Sequence, residues 1–407
     1  MIHQNRRKEL LSQLGETDLV ILSTNPEQIR NGDVHFPFRA DSDFFYLSGF
    51  CEPESVMVLT QNQYTIFLRD RDPEREIWDG KRLGVKQAPN SLLADQALPI
   101  GMLKAKLPEF LSKATKVYFD SRHSGLDCII DHCVEGIKTH SLKPIVHEMR
   151  LIKDTFEIEQ MQQAADVAIL AHEKAMKKVM PNQTEYEVQA IFDSVFTQNQ
   201  AKHSYMPIVA GGKNACVLHY IENSAMLKNG DLLLIDAGCE INNYASDITR
   251  TYPINGRFSN AQKKIYQIVL DAQYAAIECI KPGELVSAPH KVASQVIKNG
   301  LVELGILQED GELSDFYMHG TGHWLGLDVH DVGEYKQADS DRVFQKGMVT
   351  TVEPGIYIRK NDKIDPVYWN IGIRIEDDVL VTETGNRVLS AALVKEIDEI
   401  ENLMDRQ

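Results

Sequence analysis

The segment DLLLIDAGCEINNYASDITRTY (231–252) constrains this chain more than any other. Two β-rich runs flank the turn-prone Glu-Ile-Asn-Asn stretch, which reads as a hairpin. If the chain reverses between Ile241 and Asn242, Asp236 and Asp247 fall directly opposite each other on one face. Opposed Cβ atoms lie about 4.5–5.5 Å apart, and two carboxylates held that close do not both stay ionised without a compensating cation. A metal is the simplest compensation. The competing reading has one Asp capping the turn or pairing with Arg250.

Three later segments carry further candidate ligands. HGTGHWLGLDVHDVG (319–333) supplies His319, His323 and His330, although the whole chain has only 13 histidines. Gly320 and Gly322 weaken any helix there and no Glu follows the first His, so a loop or strand that delivers one ligand is expected, not a zincin helix. A single histidine is more often a hydrogen-bonding residue than a ligand; a cluster beside glycine-rich backbone reverses that. Glu353 ends the apolar run MVTTVEPG, where Pro354 and Gly355 turn the chain and leave the carboxylate at a rigid strand end. Arg374 and Glu376 stand at i and i+2 in IGIRIEDDVLV, hence on one face of a strand. A charged pair among isoleucines needs a partner, unless it is a local surface pair.

Together Asp236, Asp247, His323, Glu353 and Glu376 form an oxygen-rich, hard donor set, unlike the thiolate or multi-histidine sets of structural zinc. Manganese is the first expectation, with cobalt or zinc able to substitute. Two divalent cations about 3.5–4 Å apart share a bridging water, lower its pKa and polarise a carbonyl, so hydrolysis of an amide follows.

The chain around these motifs has two textures. Residues 1–150 alternate strand-like runs (19–23, 55–59, 64–68, 116–120) with helical stretches such as 102–113, an α/β domain. A polar, proline-containing connection (139–154) leads to a helix capped by Asp154 with Glu157 three residues on, ending at Pro181, and Thr184 with Glu187 opens a second, to about 198. Strand signals follow at 205–210, 216–220, 232–239, 244–252, 347–353 and 371–382. Helical patterns lie at 260–280, 287–304 and 393–405. Residues 151–407 therefore read as an α+β domain, with helices outside a curved, mostly antiparallel sheet.

Composition excludes several classes. A formal charge of −16 and no basic stripe disfavour nucleic acid. No stretch approaches 18 apolar residues, so no membrane span is expected. The first residues, MIHQNRRKELLSQL, interleave charge and leucine and lack the apolar core of a signal peptide. Six scattered cysteines fit reduced thiols in a cytoplasm. Cys128 and Cys133, with His132 between them, lack a second ligand pair and read as structural.

The motifs LHYIEN (218–223), LIDAGCE, DITRTYP, HGTGHWLGLDVHDVG, TVEPGIY and GIRIEDD resemble the aminopeptidase P branch of the family that includes prolidase, methionine aminopeptidase and creatinase. FPFRADSDFFYLSGFCEPES (36–55) and EIWDGKRLG (76–84) resemble the same branch's N-terminal domain. The resemblance covers nearly the whole chain. It implies a pita-bread catalytic domain from about residue 155 and a metalloaminopeptidase that cleaves the N-terminal Xaa-Pro bond of peptides. Prolidase, which acts on Xaa-Pro dipeptides, is the alternative, and a non-catalytic peptide-binding module on the same fold a remoter one. It also implies that Asp247 and Glu376 bridge the two metals, that Asp236 serves one, and that His323 and Glu353 serve the other. Glu353 would move the proton, His219 and His330 would stabilise the intermediate, and Arg374 would orient carboxylates. His319 and Tyr357 are further substrate-pocket candidates. HGTGH departs from the familiar HGLSH only at Thr321 and Gly322. A homo-oligomer, a tetramer, is implied as well, with Asp33 and Trp78 of a neighbour near the site.

Overall fold

The computed structural model describes residues 1–338 and 340–405; of the expected second domain, 339, 406 and 407 lie outside the described residues. The chain divides into two compact units after Glu148.

In the first unit one six-stranded sheet is built from β1 (Asp18–Ser23), β2 (Val56–Thr60), β3 (Gln63–Leu68), β4 (Gln96–Pro99), β5 (Lys116–Tyr118) and β6 (Thr139–His140). Its order is β4-β3-β2-β1-β5-β6. Strand β2 runs antiparallel to both neighbours, while β5 lies parallel to β1 and β6. Continuous apolar runs such as Leu19–Ile21 and Val56–Leu59 are buried, as expected of strands covered on both faces. The helix Leu103–Leu111 presents Leu103, Leu107 and Leu111 at helical spacing to Leu19, Ile21, Val58 and Phe67.

The second unit opens with the long helix Thr155–Lys178. Asp154 Oδ1 accepts from Glu157 N and Glu157 Oε2 accepts from Asp154 N, so the expected capping box is present. Residues 139–154 differ from the expected polar connection: Lys143–Leu151 is a helix. Its apolar positions Val146, Met149 and Leu151 are buried, and that tertiary burial outweighs Pro144, which sits harmlessly in the first turn.

The strands of this unit pair antiparallel in small sheets. They include β7 (Ile208–Gly211), β8 (Leu232–Asp236), β9 (Cys239–Ile241), β10 (Tyr244–Ala245), β11 (Thr249–Pro253), β12 (Val349–Val352), β13 (Gly355–Ile358), β14 (Ile371–Arg374), β15 (Asp377–Val381) and β16 (Asn386–Val388). The orders are β7-β8-β11, β12-β15-β16 and β13-β14. Helices Thr155–Lys178, Glu185–Gln198, Asn260–Glu278 and Ala288–Glu303 close one apolar core with these strands, with Ala168, Phe192, Leu233, Ile265, Val269, Ile297 and Ile373 fully or nearly fully buried. The expected strand at 216–220 does not form. Gly212, at φ +55°, turns the chain into a short 3₁₀ helix, Gly212–Cys216, and a loop follows.

Candidate metal centre

The aspartate hairpin forms with a register different from the one the sequence suggested. Asn242 and Asn243 take φ +50° and +68°, the two left-handed residues of a tight hairpin turn, and asparagine tolerates them. The reversal is therefore centred between the two asparagines, with Ile241 facing Tyr244. Asp236 consequently faces Thr249 and not Asp247. The ladder also parts at Gly238, where an added Cβ would lie 1.9 Å from Ser246 O.

The two carboxylates still converge, because Tyr205 reaches both: its hydroxyl oxygen lies 2.5 Å from Asp236 Oδ1 and 2.6 Å from Asp247 Oδ1. A phenol carries one proton, so it donates to only one of them. The other contact sets oxygen lone pairs against each other unless a proton or a cation intervenes.

The histidine loop is laced to β12. His323 N donates to Thr351 Oγ1 and Thr351 N to His323 O, while Glu353 N donates to Thr321 O at 2.8 Å. His323 Nδ1 lies 3.0 Å from Trp324 O, which fixes a proton on Nδ1, so that the neutral ring would present Nε2 as its lone-pair donor. That Nε2 stands 3.4 Å from Asp247 Oδ2 and 3.6 Å from Glu353 Oε1.

Arg374 and Glu376 do not share one continuous strand, since β14 ends at Arg374 and β15 starts at Asp377. In the break, Thr249 Oγ1 donates to Glu376 Oε2 at 2.6 Å. Arg374 donates to Asp236 Oδ2 at 2.6 Å and to the Tyr357 hydroxyl at 3.0 Å.

Asp247, His323 and Glu376 each offer a donor atom within 4.8 Å of the others. Asp236, Asp247, His323, Glu353 and Glu376 all line one cavity of about 270 Å³, together with His219, His319, His330 and Arg374. His219 and His330 are exposed at this cavity, and the His330 ring lies 4.2 Å from that of His323. Tyr357 does not line it: the ring is fully buried and the hydroxyl joins His319 Nε2, at 2.8 Å, to Arg374.

Burial pushes the Asp236 carboxyl up to about 6 against the pull of Arg374, and the Glu353 carboxyl up to about 7 against His323 and Arg374. Burial, then Asp247 and Glu353, raise Glu376 well above the carboxylate range. Burial opposes charging His323, yet Asp247 and Glu353 lift it to about 9. Negative charge is thus crowded beyond what Arg374 and one imidazolium neutralise. Four carboxylates and an imidazole whose Nε2 can give up its proton to a cation fit hard divalent ions by donor chemistry as well.

Sequence reading missed Tyr205, Thr249 and Asp378, whose carboxylate accepts from Asp247 N at 3.1 Å. Tyr205 sits in HSYMP, where nothing marks a half-buried phenol that meets two carboxylates. Thr249 was legible in principle, as the polar residue two positions beyond Asp247 and so on its face.

Residues 159–383 match the model of metallopeptidase family M24, and residues 3–118 match the aminopeptidase P N-terminal domain. The chain is 45% identical to a Haemophilus influenzae Xaa-Pro aminopeptidase, over 99% of this chain and 96% of that one. The structure of Pseudomonas aeruginosa aminopeptidase PepP superposes with a TM-score of 0.95 at 43% identity, covering 99% of each chain. A zinc-substituted Escherichia coli aminopeptidase P in complex with product gives 0.96 at 39% identity, over 100% of this chain and 99% of that one. The chain belongs to metallopeptidase family M24 and carries the N-terminal domain of aminopeptidase P.

Proposed function

We propose that this chain is a metalloaminopeptidase that removes the first residue from peptides whose second residue is proline, using two divalent metal ions. The observation that carries this reading is the convergence of four carboxylates and one imidazole on a single cavity. The full-length similarity to Xaa-Pro aminopeptidases supports the substrate class. Asp236, Asp247, His323, Glu353 and Glu376 would hold the two ions, with Asp247 and Glu376 assigned as the ligands common to both. When bound, the ions lower the pKa of a water towards neutrality and polarise the substrate carbonyl.

The protein's own groups do the rest. Glu353, at the end of a rigid strand, takes the proton from the attacking water and passes it to the leaving nitrogen. His219 and His330 face the cavity and donate to the oxygen on which charge develops. Partial burial, then the nearby His323, lower the pKa of His330, which favours the neutral ring, and a neutral imidazole keeps one N–H to donate. Arg374 holds Asp236, the Tyr357 hydroxyl accepts from Arg374, and His319 holds that hydroxyl. An Xaa-Pro bond has a tertiary amide nitrogen with no N–H, so a site that does not ask for that donor accepts it without loss.

Manganese is the assigned metal, on the hardness of the donors. The six free cysteines support a reducing, cytoplasmic setting. A homo-tetramer is proposed in which Asp33 and the 83% exposed Trp78 of one copy approach a neighbour's site; sedimentation as a monomer alone would refute it.

The test is substrate length. After chelator treatment and reloading with manganese, the protein is expected to cleave Xaa-Pro-Yaa peptides as well as Xaa-Pro dipeptides. Turnover confined to dipeptides assigns it as a prolidase instead.

A further inference from the structure

The loop from His323 to Asp331 carries His330, and its far end is fixed by a buried ion cluster outside the donor set. Asp331 Oδ1 accepts from Arg150 Nη2 at 2.6 Å, and Asp331 Oδ2 from Lys153 Nζ at 2.9 Å. All three side chains are 1–3% exposed. Arg150 also reaches Asp328 Oδ2 at 2.7 Å. Lys153 is itself held through its backbone, N to Gly347 O at 2.8 Å.

This cluster is wired to both imidazoles. Asp331 N donates to Trp324 O at 2.8 Å, and that same carbonyl accepts from His323 Nδ1. The bond that selects the His323 tautomer thus ends on an oxygen whose place Asp331 sets. His330, the residue before Asp331, stacks edge-on against His323. The fit is tight: a Cβ on Gly326 would lie 2.2 Å from Asp331 Oδ2 and 2.9 Å from Lys153 Cε. Gly326 O in turn accepts from Ala245 N, joining the loop to the aspartate hairpin.

We infer that Asp331, clamped by Lys153 and Arg150, is a positioning residue that sets the orientation of His323 and His330 without touching substrate or metal. This rests on the reading of His323 as a ligand and His330 as a substrate-facing donor. The clamp's cations come from the first residues of the second unit, so that segment is part of the site's support.

A double-mutant cycle tests it in the full chain, with Asp331→Asn and His330→Ala alone and combined. Asp331→Asn is expected to lower kcat about 10–100-fold, with far less change in KM, and to weaken manganese(II) binding to the chelator-treated protein by a similar factor, as removal of a ligand-orienting partner does. In the His330→Ala background its effect on kcat is expected to shrink, because part of its action passes through that imidazole. Lys153→Met serves as a second variant should Asp331→Asn not fold, and is expected to show the same manganese loss. Full independence of the two mutations, together with unchanged manganese affinity, would overturn the inference. A fully active His330→Ala enzyme would instead overturn the role given to His330 and leave the manganese readout to judge the clamp.

Discussion

Arg374 Nη2 lies 2.6 Å from Asp236 Oδ2, with both side chains largely shielded from water. Removing one partner of a buried ion pair costs about 3–5 kcal/mol, because the other charge stays buried alone. With Asp236 assigned as a metal ligand, a bound cation would give the remaining carboxylate a substitute partner. Arg374→Met is therefore expected to lower the unfolding temperature more in chelated protein than in metal-loaded protein. Equal losses in the two states would show that Arg374 and the metal do not share Asp236.

His172 is fully buried; its Nε2 donates to Ala237 O at 3.0 Å and its ring packs edge-on against Phe192. Burial lowers its pKa from 6.5 to about 3. Since the folded value is the lower one, the unfolded chain takes up the proton first as pH falls. Stability from this group is complete above pH 6.5 and declines as pH drops towards 3. At pH 5 the loss is about 2 kcal/mol. Urea unfolding at pH 7 and pH 5 checks this, and a His172→Leu variant is expected to lose that increment of pH dependence whatever its absolute stability.

Gly238 marks the point where the aspartate hairpin parts. An alanine methyl there would meet Ser246 O at 1.9 Å, and backbone cannot yield as a flexible side chain can. Gly238→Ala is expected to destabilise by at least about 1–3 kcal/mol, as overpacking does, and to weaken manganese binding by moving Asp236 relative to Asp247. Asn243→Gly, at φ +68°, is expected to be neutral or slightly stabilising, since glycine takes that conformation freely. Normal stability and metal affinity in Gly238→Ala would contradict the observed register.

The same hairpin shows what could and could not be read from the chain. Its existence and both aspartates were legible, because alternation and turn chemistry are local. Its register was not: centring the turn one residue later, on Asn242 and Asn243, moves the partner of Asp236 from Asp247 to Thr249. The helices opened by Asp154 and Thr184 were legible from their caps. The helix Lys143–Leu151 was hidden by polar residues and a proline, and only tertiary burial of its apolar positions reveals it. Tyr205 was beyond reach, since a phenol gains its role from two carboxylates some 30 and 40 residues away in sequence. Arg374 and Glu376 were found by spacing, although they flank a break between strands.

Asp247 is the carboxylate that Tyr205, His323 and the acidic cluster share. The most direct measurement is release of the first residue from an Xaa-Pro-Yaa peptide by manganese-loaded wild-type protein beside Asp247→Ala, both shown to be folded. Steady release by the wild type and near-complete loss in Asp247→Ala is the expected result. Asp247→Ala protein that still releases the residue at the wild-type rate would contradict the two-metal site.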